Sequence, residues 1–264
     1  MSGVAEDGGF IGVTGRWFLG VLEELGRFGR LVGQSLRVLG RRGFPVRETI
    51  RQFESVVVRS STIVLITALF TGMVLALQTA TALGRFGAKP YTGSFVGLAF
   101  VLELGPVLTA LVVSGRVGAG ITAEIGAMTV SEQVDAIRAL GADPVQKLVV
   151  PRMLAATIGL PMLTMLANVL GIVGGLLIAS QLGIGANFYY QSVVGVVTLA
   201  DLVSGLIKTL AFGWTISMVA CDQGLSTMGG TVGVGRATTR AVVISSIAVL
   251  VSDFFLTKLI LMLQ

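Results

Sequence analysis

The chain of 264 residues contains no histidine and only one cysteine, Cys221. Without histidine there can be no imidazole-based triad, no imidazole proton relay and no His-ligated metal. A single cysteine cannot form an intrachain disulfide or a cysteine-rich metal site. The Walker-type phosphate-binding loop is also absent, so the chain is not itself a P-loop ATPase. We therefore expect no catalytic residues, no bound metal and no cofactor in this chain.

Charged residues are scarce as well. Charged residues make up 12% of the chain, apolar residues 53%, and the mean hydropathy is +0.88, whereas an average globular domain carries roughly 25% charged residues. Of the 33 charges (19 basic and 14 acidic), 15 lie in the first 59 residues. The rest are too few to cover a soluble surface, which predicts an all-α, multi-pass membrane protein. The net charge of +5 is scattered, which argues against nucleic-acid binding.

The N-terminal region, residues 1–55, is predicted to contain one amphipathic helix over 16–41. Its arginines fall on the phase opposite its apolar residues, and the helix carries too much charge to cross a membrane. It suits the membrane interface, with the arginines at the lipid headgroups. Residues 1–15 are expected to be irregular, and the late start of the first long apolar run predicts no signal peptide. The apolar positions are Phe18, Leu22, Leu25, Val32, Leu36 and Leu39.

Residues 56–264 are predicted to form a membrane domain with five spans. Uncharged runs separated by glycine- and proline-containing breaks define these spans. The 48 uncharged residues after Arg152 are divided at 181–187, which predicts a span followed by a connecting segment. Fifteen Lys and Arg residues fall on the side of the N terminus and three on the other, which predicts N-in, C-out orientation. The spans are placed at about 60–84, 94–116, 150–180, 201–221 and 239–262.

Glycine is abundant, at 36 residues. Gly171 and Gly175 lie four residues apart in the third span, a spacing that lets helices approach closely. The glycines at 115–120 follow an apolar helix rather than a strand, so a nucleotide-binding loop is not predicted there.

A short helix is predicted at about 130–141, between the second and third spans. Thr129 and Glu132 have the spacing of a capping box, Gly141 can end the helix, and Asp143 can begin the next. The segment is too short to cross a membrane. A rigid, charged helix on the cytosolic side is what a transporter needs to receive force from a separate ATPase. A plain connector is the alternative.

Three ionisable residues fall inside the predicted spans, namely Glu103, Lys208 and Asp253. Burying such groups costs at least a few kcal/mol unless they are paired or face water, so each is a functional candidate. The alternative is that these residues form an ion pair that only fixes helix packing. This interpretation is stronger for Lys208 and Asp253 than for Glu103. Beside Glu103, Gly105 and Pro106 allow the helix to kink and open a cavity.

Recognisable motifs occur at 103–111, 114–120, 122–128, 131–136, 143–152, 205–208, 235–240 and 253–257. These segments resemble the MlaE (YrbE) family, the permease subunits of bacterial lipid-transporting ABC systems that work with MCE proteins. One difference is Leu102, since many members have an arginine directly before the Glu-Leu-Gly-Pro motif. Another is Thr129, where an arginine is frequent.

The resemblance implies an inner-membrane homodimer that moves phospholipid between the bacterial inner membrane and a periplasmic MCE partner. ATP would be bound by a separate MlaF-like ATPase that docks on residues 131–143. Further partners would be a hexameric MlaD-like MCE protein and a STAS-domain subunit similar to MlaB. The residues expected to couple the chain to the ATPase are Glu124, Glu132, Asp135, Arg138 and Asp143.

We expect the lipid path between the first span and the kink beside Glu103 in the second span. The outer half of the span offers mainly apolar surface with one amide, as a two-chain lipid requires. A bare carboxylate would repel a lipid phosphate. Glu103 therefore either orders a neighbouring helix through Lys208 or an arginine, or gates the cavity. The path residues are Leu75, Gln78, Leu83, Phe86, Glu103 and Leu104.

Three alternatives stay open. The MCE system could import another lipid, such as a sterol or a fatty acid. The chain could be an intramembrane enzyme that uses Glu103 and Asp253 as a carboxylate pair, although a histidine, a metal cluster and a Ser–Lys dyad are all missing. It could also serve only as an anchor for the MCE protein.

Overall fold

The computed structural model describes residues 10–39 and 46–263, without the side chains of residues 10–18, 20, 21 and 263. Within these ranges the regular structure is entirely helical. The expected irregular start, residues 1–9, and Arg41 at the end of the amphipathic helix lie outside the described residues. Residues 10–15 were expected to be irregular as well, but they belong to the first helix.

Eight helices follow one another along the described residues. Five of them (α2, α3, α5, α7 and α8) are long and apolar enough to cross a membrane, which confirms the predicted number of spans. The other three are α1, a seven-residue helix (α4) and an eleven-residue helix (α6). The bounds are Phe10–Leu39 (α1), Val46–Gly84 (α2), Lys89–Val130 (α3), Gln133–Ala139 (α4), Val145–Gln181 (α5), Ala186–Val196 (α6), Leu199–Leu225 (α7) and Gly230–Leu263 (α8).

The second spanning helix, α3, is longer than the predicted span of 94–116. It continues past Arg116 because charged residues limit an apolar run without ending a helix. Two π-helical turns interrupt it, Phe100–Leu104 and Ser114–Gly118. The first turn ends two residues before Pro106, whose missing N–H disrupts regular α-helical pairing.

The prediction of a capping box at Thr129 and Glu132 is wrong. Thr129 is still part of α3, and its hydroxyl donates to the carbonyls of Ile125 and Gly224, at 2.9 and 3.2 Å. Glu132 lies in the turn before α4 with a φ of 60° and makes no side-chain cap. Because α3 extends to Val130, the separate helix is shorter than the expected 130–141.

The predicted end of the short helix is confirmed. Gly141 adopts a φ of 74°, which favours glycine. Its N–H donates to the carbonyl of Arg138, and the next N–H donates to Ile137, so the last carbonyls of α4 are paired. The start of α5 is confirmed too, since the Asp143 carboxylate accepts the N–H of Val145 at 2.9 Å.

The connecting segment after the third span contains the helix α6. Tyr189 and Val193 pack against α3, where a Cβ at Gly93 or Gly97 would be crowded by them. The Tyr189 hydroxyl donates to the carbonyl of Ile172 in α5, 3.3 Å away. Burial raises the pKa of Tyr189 well above its ordinary value, so the phenol stays protonated.

The helices α2 and α5 meet backbone to backbone. A Cβ at Gly72 would collide with the carbonyl of Gly171, and a Cβ at Gly174 would collide with the carbonyl of Leu69. Gly175 is similarly tight against Tyr189. The predicted close approach at Gly171 and Gly175 is therefore confirmed, and α2, α5 and α3 enclose the larger apolar core.

The first helix packs along α7 and the start of α5. Leu31 and Val38 are buried there, and the guanidinium of Arg27 lies 3.1 Å from the carboxylate of Asp222. A second ion pair joins Arg240 of α8 to Glu24. The leucines of the predicted apolar phase stay mostly uncovered, with Leu22, Leu25, Leu36 and Leu39 all exposed.

Candidate functional site

The ammonium group of Lys208 joins three spanning helices. The side chain is almost fully buried in α7, and its Nζ lies 2.7 Å from a carboxylate oxygen of Glu103 in α3. The same Nζ lies 3.3 Å from a carboxylate oxygen of Asp253 in α8. A buried ammonium needs such partners, because removing it from water without them costs several kcal/mol. The three ionisable residues singled out in the spans thus form one cluster.

The backbone of α3 contributes to this cluster. In a regular α-helix the carbonyl of residue 102 would accept the N–H of residue 106, but Pro106 has none. Lys208 donates to that carbonyl, with Nζ 3.1 Å from the oxygen of Leu102. The lysine therefore supplies a positive charge to the carboxylates and a donor to the backbone that the proline leaves open.

Small residues bring α7 close enough for this contact. Gly205 lies one turn before Lys208, and a Cβ there would collide with the carbonyl of Val101. On the other side of the turn, a Cβ at Gly105 would collide with the side-chain oxygen of Asn168. The glycines on both sides let the π-helical turn that contains Glu103 fit tightly between α7 and α5.

Thr257 is a member of the cluster that the sequence analysis did not single out as a site residue. Its hydroxyl lies 3.1 Å from the carboxylate of Glu103 and 2.8 Å from the carbonyl of Asp253. The available signal was its position four residues after Asp253, on the same face of a helix. Glu103 thereby receives hydrogen bonds from both α7 and α8.

Both carboxylates of the cluster pair with the ammonium group of Lys208. The Glu103 side chain is 41% exposed and that of Asp253 19%, whereas Lys208 is 4% exposed. A pair of acids held by one ammonium ion fixes three helices relative to one another. Among the described residues, no group of His, Cys, Asp and Glu side chains could hold a metal ion.

The expected lipid-path residues divide into two places. Leu104 lines a small cavity with Val64 and Thr67 of α2, while Glu103 faces α7 and α8 instead. Gln78 and Phe86 border a groove of about 410 Å³ along the end of α2. The structure therefore does not bring the Glu103 carboxylate together with that groove.

The groove at the end of α2 has a basic member, Arg85, that was not among the lipid-path residues expected from the sequence. Arg85 lines it beside Gln78 and Phe86, and Phe86 is 84% exposed. Leu75 packs partly against the apolar core, and Leu83 is half-buried outside the groove lining. Amide, guanidinium and aromatic ring thus share one open surface.

The five expected coupling residues lie on or near the segment between α3 and α5. Glu124 forms an ion pair of 2.8 Å with the buried Arg152 of α5. Asp135 and Arg138 form an exposed pair of 2.8 Å within α4. Arg138 and Asp143 also border a groove of about 370 Å³ between this segment and α1. Glu132, in the turn before α4, is exposed.

Comparison with known proteins identifies the family. The family model described as Permease MlaE matches residues 49–259. An intermembrane phospholipid transport system permease protein MlaE of Haemophilus influenzae is 35% identical over 257 residues, which is 95% of this chain and 97% of that protein. A probable ABC transporter permease protein of Synechocystis is 44% identical, with 81% of each chain covered.

A plant protein is similar as well. The chloroplastic protein TRIGALACTOSYLDIACYLGLYCEROL 1 of Arabidopsis thaliana is 39% identical over 80% of this chain and 61% of its own length. The family match includes Glu103, Lys208 and Asp253, and it covers all five helices that can cross a membrane, though not their outermost residues. With matches of this extent, the chain belongs to the MlaE permease family.

Proposed function

We propose that this chain is the permease subunit of an ABC transporter that moves phospholipid between the inner membrane and a periplasmic partner. The observation that carries the proposal is the open groove at the end of α2, which combines an apolar wall with the amide of Gln78 and the guanidinium of Arg85. Phospholipid as the substrate is supported by the name of the Haemophilus relative, which aligns with nearly the whole chain.

The proposed orientation places the N terminus in the cytosol and the C terminus outside. It is supported by the excess of Lys and Arg on the side of α1. We propose that α1 lies in the membrane interface, where the exposed leucines Leu22, Leu25 and Leu36 would enter the lipid. Its ion pairs with α7 and α8 would hold it against the spans.

A homodimer is supported by the uncovered surface of α8. In the most apolar stretch of α8 only 11% of the residues are buried, against 56% in α7. Its exposed side chains include Val251, Phe254 and Phe255. A second copy that covers this face would also enclose the side of the cluster to which Asp253 and Thr257 belong.

Coupling to a separate ABC ATPase is proposed for α4 and its flanking turns. Asp135 and Arg138 pair with each other at the surface, and Glu132 is exposed. Such charges are available to a partner at little desolvation cost. Because Glu124 is paired with the buried Arg152, a push on the end of α3 would reach α5 directly. A hexameric MCE protein on the outer side and a STAS-domain subunit complete the proposed assembly.

The proposed lipid path begins at the groove of Gln78, Arg85 and Phe86. Its apolar wall suits acyl chains, and the guanidinium and the amide suit a phosphate headgroup. Leu75 and Leu83 would support this wall from behind. Glu103 is assigned to the ordering of α7 and α8 through Lys208 and Thr257, and Leu104 to the adjoining contact with α2.

Reconstitution tests the proposal. The chain and its ABC ATPase in proteoliposomes should transfer fluorescent phospholipid to acceptor vesicles or to the MCE protein only when ATP is hydrolysed. A sterol and a fatty acid serve as competing substrates, and preferential movement of either would overturn the assignment of phospholipid. The purified chain alone should leave phospholipid chemically intact. Chemical conversion of lipid by the chain would identify an enzyme instead.

Transport with scrambled but folded residues 131–143 provides a further comparison. A permease driven through α4 should stop moving lipid, whereas a chain that only anchors the MCE protein would keep transport at its normal rate. A photo-crosslinker at Phe86 should also capture lipid in the assembled complex. Capture of protein alone at this position would place the lipid path elsewhere.

A further inference from the structure

A second cavity lies between α2 and α3, at the ends of these helices that face α1 and away from the groove of Arg85. Its volume is about 410 Å³, enough for a headgroup and its glycerol. Two arginines from different helices line it, Arg59 of α2 and Arg116 of α3. Neither the proposed lipid groove nor the Lys208 cluster includes these two residues.

No residue that the structure describes neutralises the two arginines. Both are exposed, and neither has an ion-pair or hydrogen-bond partner among the residues that the structure describes. The acid that lines the same cavity is Glu124, whose carboxylate is bound 2.8 Å from the guanidinium of Arg152. The cavity therefore carries two uncompensated positive charges, with the side chains of Gln52 and Ser55 as further polar groups.

The backbone presents one of these arginines in an unusual way. Arg116 lies in the π-helical turn Ser114–Gly118, and such turns occur frequently at functional sites. Gly120, one turn further, also lines the cavity, and a Cβ there would meet no atom within 4 Å. The second π-helical turn of α3 thus opens a space beside a free guanidinium, much as the first one presents Glu103 to Lys208.

The position along the helices sets the depth of the cavity. Arg59 directly precedes 25 uncharged residues that end before Arg85, and Arg116 follows the uncharged residues 104–115. Twenty-five helical residues span roughly 37 Å, slightly more than the hydrocarbon core of a bilayer. Arg59 and Arg116 therefore lie at the headgroup level of one leaflet, on the side of α1. Arginines at this depth attract anionic headgroups.

We propose that Arg59 and Arg116 form a phosphate-binding site, which receives the phosphate of a lipid headgroup in the leaflet next to α1. Two guanidinium groups on adjacent helices match the several oxygens of one phosphate. The inference deepens the proposed function, on which it rests, because it assigns a second lipid position at the opposite end of α2 from the groove of Arg85. A free phosphate ion offers the same chemistry, and the experiment separates the two sources.

The test measures binding in the absence of ATPase and ATP. The full-length chain in detergent is titrated with dioleoylphosphatidylglycerol, and bound lipid is counted by native mass spectrometry. Diacylglycerol, which lacks the phosphate, and inorganic phosphate are titrated in parallel. The variants are Arg59→Gln, Arg116→Gln and the cavity-filling Gly120→Leu. Arg51→Gln is the matched control, since Arg51 is an exposed arginine of α2 that does not line the cavity.

The wild-type chain and Arg51→Gln should bind phosphatidylglycerol equally, and diacylglycerol far more weakly. Each arginine variant should weaken phosphatidylglycerol binding by roughly tenfold or more, as expected for the loss of a hydrogen bond to a charged group. Gly120→Leu should weaken it without any change of charge. Competition by millimolar inorganic phosphate would assign the site to the free ion, and the absence of competition assigns it to the lipid.

Unchanged phosphatidylglycerol binding in both arginine variants and in Gly120→Leu would overturn the inference. If wild-type proteoliposomes still transport lipid in that case, the proposed function stands without this site. If the site binds lipid as described but the complete complex moves none, the proposed function fails and the site stands.

Discussion

The ammonium group of Lys208 lies 3.1 Å from the carbonyl oxygen of Leu102, the acceptor that Pro106 leaves without its usual helical donor. A side chain from one spanning helix thus completes the backbone hydrogen bonding of another. The same ammonium is shared with Glu103, the residue that follows Leu102. The cation that pairs with Glu103 therefore comes from α7 and not from the neighbouring position of α3, which is Leu102.

Lys208→Met should destabilise the protein and reduce transport. Methionine removes both the charge and the donor, so the two carboxylates lose their shared partner. We expect the free energy of unfolding to fall by about 3 kcal/mol, the low end for a broken buried ion pair, since Glu103 is partly exposed. Thermal unfolding in detergent measures the effect.

The control for this variant is Lys258→Met, because Lys258 is an exposed lysine of α8. The triple variant Lys208→Met/Glu103→Gln/Asp253→Asn should recover part of the lost stability, since it removes the unpaired charges too. A loss of stability in the triple variant larger than in Lys208→Met would contradict the ion-pair explanation.

Glu103→Ala and Glu103→Gln should differ in transport. Alanine removes the acceptor that binds Lys208 and Thr257, and ATP-driven lipid transfer should be lost. Glutamine keeps a carbonyl oxygen for both donors, so transfer should continue at a reduced rate if Glu103 orders the helices. If glutamine abolishes transfer as completely as alanine, the charge itself is required and Glu103 acts as a gate.

Gly72→Ala should destabilise the contact between α2 and α5. The new methyl group would meet the carbonyl of Gly171, which is backbone and cannot rotate away. Overpacking of this kind costs about 1–3 kcal/mol, and the unfolding temperature in detergent reports it. Gly84→Ala is the matched control on the same helix, since a Cβ at Gly84 meets no atom within 4 Å. Equal stability of the two variants would refute the tight contact.

The double reversal Glu132→Lys/Asp135→Lys should abolish docking of the ATPase while the membrane domain stays folded. Both residues are exposed on the α4 segment, so the substitutions change charge without changing the core. Co-purification with the tagged ATPase measures docking. Glu54→Lys, a reversal at an exposed acid of α2, is the control. Recovery of the ATPase at the wild-type yield would exclude this segment as the docking site.

Single cysteines along α1 should be labelled from the cytosolic side with helical periodicity. Arg30, Gln34 and Arg37 are exposed and should react with a membrane-impermeant maleimide, whereas Leu31 and Val38 are buried and should not. The native Cys221 is fully buried, so it contributes little background. Labelling of the exposed set from the outer side would reverse the proposed orientation.

The spans and the identity of the intramembrane charges could be predicted from the sequence, because both follow from the cost of placing each residue in a bilayer. The meeting of Glu103, Lys208 and Asp253 could not, since it depends on the rotation of three helices about their axes. That rotation is set by close contacts such as Gly205 against Val101, which no hydropathy pattern contains.

Local signals failed where two interpretations share one pattern. The spacing of Thr129 and Glu132 fits a capping box, yet a threonine inside a helix can donate to a carbonyl one turn earlier, as Thr129 does. Gln78 and Phe86 were expected on the lipid path from the sequence, whereas Arg85, which lines the same groove, was not. The proposed role of Arg85 in binding a headgroup follows only from its neighbours in this groove.

The backbone contact between Gly72 and Gly171 has a mechanical consequence. Where two backbones touch without intervening side chains, no rotamer change can absorb a displacement, so α2 and α5 must travel as one rigid body. A push on α4 that enters α5 through Glu124 and Arg152 would therefore tilt α2 as well. Both arginine-lined cavities border α2, one at each end. A tilt of α2 together with α5 would thus narrow one of these cavities and widen the other.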